Sequence, residues 1–111
     1  MNLATGSGPA SLHPEEGVRF LLERQSVEDA GRAARYRAAV FTPDEVFEYA
    51  ALLRAGGAVE MVAAGARAPA EVEEKLLAHA RQTARAAERK AGEELPPWPH
   101  RVLRWRGPGR G

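Results

Sequence analysis

The sequence predicts an α+β fold: a small two-layer domain, with a three- or four-stranded sheet packed by two helices, the second one long. Three observations carry that expectation. Pro69–Glu94 keeps helical periodicity between strong start and stop signals. Pro43–Ala55 opens on a capping sequence and closes at Gly56-Gly57. Short apolar runs with period-two alternation stand on either side of these stretches.

A chain of 111 residues suits one domain with a single hydrophobic core. An apolar fraction of 44% with 28% charged residues argues against disorder along its whole length. Residues 13–106 are expected to form the domain, with 1–12 as a flexible N-terminal tail and 107–111 as a flexible C-terminal tail; both ends are rich in glycine and proline. Gly6-Ser7-Gly8 has neither a strand before it nor a lysine, as a phosphate-cradling loop requires. It reads as part of the tail.

Residues 17–41 are ambiguous between strand and helix. Val18–Leu22 fits a short strand or the apolar face of a helix begun at Pro14, and Ser26 stands as a helix cap soon weakened by Gly31. Arg35–Phe41 alternates, with Tyr36, Ala38 and Val40 on one face and Arg35 and Arg37 on the other, so strand, short helix or turn, strand is favoured. Thr42-Pro43-Asp44-Glu45 then resembles a capping box, and the helix it starts would bury Val46, Phe47, Ala50 and Leu53. Ala58–Ala64 reads as the next strand, with Glu60 on its outer side. Parallel pairing of the strands flanking that helix would require a right-handed crossover.

The long helix begins with Pro69 and the acidic residues Glu71, Glu73 and Glu74 at its positive end; Arg89 and Lys90 lie at its negative end. Val72, Leu76, Ala80, Ala84 and Ala87 define its apolar stripe, and Pro96 and Pro97 stop it. Ala80, Ala84, Ala87 and Ala91 make a seam of small residues that packs on the domain's own sheet or admits a second copy. Pro96–Pro99 is a stiff elbow with Trp98 as packing anchor. His100–Arg106 is the last strand, with Leu103 and Trp105 on one face and Val102, Arg104 and Arg106 on the other.

The chain has no cysteine, which excludes disulfides, thiolate metal sites and cysteine nucleophiles. Its three histidines, His13, His79 and His100, lack the spacing of a helical zinc site. Acidic clusters fall at expected helix starts, and the serines have no nucleophile-elbow context. No catalytic residue, metal site or cofactor is expected, and the protein is read as not an enzyme. Met1–Ala10 lacks the basic start and apolar core of a signal peptide, and no apolar run is long enough for a membrane span. A cytoplasmic location without membrane attachment is expected.

Charge is unevenly placed. Residues 1–78 carry 8 Arg/Lys against 12 Asp/Glu, and residues 79–111 carry 8 against 3, giving net charges of −4 and +5. Arg81, Arg85 and Arg89 form a ridge on the long helix; Arg101, Arg104 and Arg106 follow with Trp105 interleaved. These seven residues are the candidate binding set, suited to an acidic partner or, with arginine on phosphate and an indole on a base, to nucleic acid. The sequence therefore points to a non-enzymatic protein-interaction or regulatory module, acting alone or as a homodimer. The alternative is a nucleic-acid-binding accessory protein that uses the Arg-rich C-terminal region.

Overall fold

The computed structural model describes residues 12–107. Strands β1 (Val18–Glu28), β2 (Ala33–Phe41), β3 (Val46–Arg54) and β4 (Val59–Ala63) are followed by helix α1 (Ala70–Gly92) and strand β5 (Arg101–Arg106). They form one antiparallel five-stranded sheet in the order β4-β3-β2-β1-β5. The sheet thus has five strands where three or four were expected, and one helix packs on it rather than two. The expected N-terminal and C-terminal tails fall mostly on residues 1–11 and 108–111, outside the described residues, as does Gly6-Ser7-Gly8.

The expected helix Pro43–Ala55 is strand β3. Thr42 makes the capping contacts that its sequence suggested, its Oγ1 accepting the amides of Glu45 at 2.9 Å and Asp44 at 3.3 Å. Its own amide donates to the Glu45 carbonyl at 2.9 Å, however, so the four residues close a hairpin and start no helix. Phe47, Tyr49, Ala51 and Leu53 then face α1, while Val46, Glu48, Ala50 and Leu52 face the other way. β3 lies inside the sheet, and apolar residues on both its faces mimic a helical stripe. The conditional crossover disappears with the helix: β2, β3 and β4 are joined by successive hairpins.

The ambiguous stretch resolves into β1, a tight turn and β2. β1 continues through Ser26, whose hydroxyl donates to Glu28 at 3.3 Å rather than capping a helix. Asp29, Ala30 and Gly31 adopt positive φ angles of 54°, 53° and 88°, reversing the chain in three residues. Tyr36, Ala38 and Val40 share the helix-facing side of β2, and Arg35 and Arg37 lie opposite, as the alternation predicts.

α1 packs Leu76, Ala80, Ala84 and Ala87, all at 0% exposure, on that face. Their small side chains let the helix lie close, and the Gly56 amide reaches the Ala84 carbonyl at 3.2 Å. The small-residue seam is thus covered by the domain's own sheet, except for exposed Ala91 at its end. On the opposite face Arg37 pairs with Glu23 and Glu48, Arg35 with Glu28, and Arg54 with Glu60. A smaller apolar cluster of Leu21, Ala39 and Phe41 is met there by Leu12. No helix among the described residues is long and apolar enough to cross a membrane.

One polar junction ties β3 to the first turns of α1. Tyr49 donates to Glu73 at 2.7 Å and accepts the Ala68 amide at 2.8 Å, while Arg67 Nε donates to the same carboxylate at 2.9 Å. The Arg67 hydrogen bond, then that of Tyr49, hold the Glu73 carboxyl down to about 2. A depressed carboxyl stabilises the fold above its unfolded-state value, and this contribution is lost as pH falls from the ordinary carboxylate range through about 2. Tyr49→Phe should cost about 1–3 kcal/mol, because it orphans the buried Ala68 amide, and should shrink the acid-dependent loss. Denaturant titrations of both proteins at neutral pH and near pH 3 measure both effects.

Candidate binding site

β5 is placed by the proline elbow before it. Trp98 is buried, and its indole N–H donates to the Gly31 carbonyl at 2.7 Å. The Trp98 carbonyl accepts Arg24 at 2.8 Å, the Pro99 carbonyl accepts the Tyr36 hydroxyl at 2.7 Å, and the His100 carbonyl accepts the Arg24 amide at 2.9 Å. Burial pushes the Tyr36 hydroxyl up to about 12, so it remains a donor throughout the neutral range. These bonds deliver β5 to the edge of β1, with Val102 opposite Leu22 and Arg104 opposite Phe20.

Between β5 and the C-terminal half of α1 lies an open cleft of about 500 Å³. Arg85, Arg89 and Lys90 contribute to it from the helix, and Arg101 and Arg104 from the strand. Gln82 and Thr83 add polar groups, and Ala86, Pro99 and Val102 an apolar surface. No carboxylate lines it. The arginines engaged in ion pairs among the described residues are Arg32, Arg35, Arg37, Arg54 and Arg67, none of which reaches the cleft. Glu88, Glu93 and Glu94, close in sequence to the helical cations, make no ion pair with them among the described residues.

His79 lines the same cleft, its ring 4.9 Å from that of Phe20 on β1. Burial lowers its pKa, and Arg104 and Arg106 from β5 and Lys75 from α1 lower it further. The imidazole is therefore held neutral at pH 7, and an anion seated among these cations would favour its protonation.

The structure gathers Arg85, Arg89, Arg101 and Arg104 of the candidate set into this one site. Arg106 follows two residues after Arg104 on the same face of β5, near enough to influence His79. Arg81 is not brought in; it borders a separate depression with Glu71 and Glu74. Trp105 is on the other face of the sheet, 51% exposed, its indole N–H donating to the Glu16 carbonyl at 3.1 Å. Lys90 and Gln82 belong to the cleft without having been singled out. Lys90 had a signal, one residue beyond the arginine ridge, but its charge is equally explained by the helix dipole.

A second depression joins β4 to the N-terminal half of α1, but Glu73, Glu74 and Arg67 line it together and two of these are already paired. No group of three or more His, Asp or Glu side chains among the described residues is placed to hold a metal ion. No protein-family model, curated protein or solved structure matches the chain, so the cleft is interpreted from its own chemistry.

Proposed function

We propose that this protein is a non-enzymatic protein-interaction module, cytoplasmic in location, whose α1–β5 cleft receives an acidic segment of a partner. One observation carries the reading: five cationic residues line a cleft with no carboxylate in its lining, and none of the five makes an ion pair among the described residues. Unpaired cations around a concave surface steer acidic ligands and raise their association rate. Nucleic acid is the second reading, favoured by the same arginines. It lacks an aromatic platform beside the phosphates, because Trp105 lies across the sheet from Arg104.

The test is a double charge reversal, Arg89→Glu with Arg104→Glu, at two exposed positions where stability should change little. An acidic peptide should lose more than about tenfold in affinity, measured by fluorescence anisotropy at low salt, with thermal unfolding unchanged. A single-stranded oligonucleotide of equal charge serves as comparison. Tighter oligonucleotide binding, with a log–log salt slope that falls by roughly 0.7 per arginine removed, would transfer the cleft to nucleic acid. Affinity of the acidic peptide unaffected by the reversal would remove the cleft from the reading.

A further inference from the structure

The cleft borders a free strand edge. β5 pairs with β1 on one side only, and no strand among the described residues occupies its other side. The Arg24 amide donates to the His100 carbonyl, which fixes the phase of the antiparallel ladder. Bonded and non-bonded pairs alternate along such a ladder, so Val102 and Arg104 turn their amides and carbonyls toward β1. The amides and carbonyls of Arg101, Leu103 and Trp105 point outward, and one outward carbonyl, that of Leu103, is met by the Arg104 guanidinium at 3.0 Å.

We infer that β5 is a docking edge on which a partner's extended segment adds as a sixth strand, with acidic and apolar residues in alternation. This inference rests on the acidic-partner reading and deepens it. Side chains of an added strand alternate between the two faces of the sheet. Those on the helix side enter the cleft beside Arg85, Arg89 and Arg104 and require carboxylates. Those on the other side lie along Leu103 and Trp105, which are 38% and 51% exposed, and require apolar groups. Main-chain bonds supply affinity in such additions, and the alternate side chains supply specificity.

A second copy of the chain is disfavoured as the occupant. Pairing β5 with β5 would crowd two sets of Arg101, Arg104 and Arg106 along one seam with no acidic residue in either strand, and like charges brought close weaken a strand pair. The other sheet edge, β4, spans only Val59–Ala63 and has Glu73 and Glu74 in the neighbouring depression, so it offers no comparable charge complementarity.

The test uses a labelled peptide of about eight residues alternating glutamate with valine or phenylalanine, a scrambled peptide of the same composition, and two N-methylated forms of the first. N-methylation removes amide donors without altering charge. Methylation of the amides directed at β5 should weaken binding more than about tenfold, and methylation of the intervening amides should not. The amides of Arg101, Leu103 and Trp105 should gain protection from hydrogen exchange when the unmodified peptide is bound. Equal affinities for all four peptides, together with continued sensitivity to the Arg89 and Arg104 reversal, would overturn strand addition while leaving the acidic cleft in place. Failure of every acidic peptide to bind would overturn the cleft reading, and this inference with it.

Discussion

Ala84→Glu is expected to remove about a third or more of the protein's folding stability at room temperature. Ala84 is at 0% exposure in the middle of α1, and its carbonyl accepts the Gly56 amide. A glutamate there must displace the sheet or bury a charge without a partner, at a cost on the order of 5 kcal/mol. A domain of this size holds only about 5–15 kcal/mol in total. Ala91→Glu supplies the contrast, two turns further along the helix and exposed, where the change should stay within about 1 kcal/mol. Circular dichroism with urea titration reads both. Equal effects would mean that the helix is rotated from the orientation described, and that the seam does not face the sheet.

Trp98→Ala should be the next most damaging substitution, at about 3–5 kcal/mol. It empties a site 2% exposed, removes the bond to Gly31, and withdraws the neighbour of Tyr36, whose ring centroid lies 6.4 Å away. Trp105→Ala at the exposed site on β5 should cost only about 1 kcal/mol. The two tryptophans are the only ones in the chain, so fluorescence separates their roles: Trp98 should emit at short wavelength in the folded state and Trp105 at longer wavelength. Similar losses from the two substitutions would show that Trp105 anchors the strand as well.

α1 was legible because its signals are local and mutually consistent. Pro69, the acidic first turn, the apolar stripe through Leu76 and Ala84, and the closing prolines all specify the same helix. β3 was not. Val46, Phe47, Ala50 and Leu53 satisfy a helical spacing as well as a strand flanked by neighbours on both sides, and Thr42-Pro43-Asp44-Glu45 serves either element. What separates the alternatives is pairing with β2 and β4, which is tertiary context. The basic residues of the cleft were legible as an excess of charge, but their convergence depends on β5 returning to the edge of β1. The Tyr49–Glu73 bond had no sequence signal, since it joins a residue assigned to a helix to a carboxylate explained by the helix dipole.

The pairing of β5 with β1 also bears on how the protein assembles. β1 to β4 meet through short hairpins, whereas Leu22 and Val102 stand near opposite ends of the described chain. Closing so long an intervening segment carries an entropic cost that local pairings avoid, so the four-strand meander should form early and β5 should close the sheet late. Native-state opening is expected to run in reverse, releasing β5 by a partial unfolding that leaves β2 and β3 intact. The strand that carries the docking edge would then be the one whose order is most readily reinforced by whatever it captures.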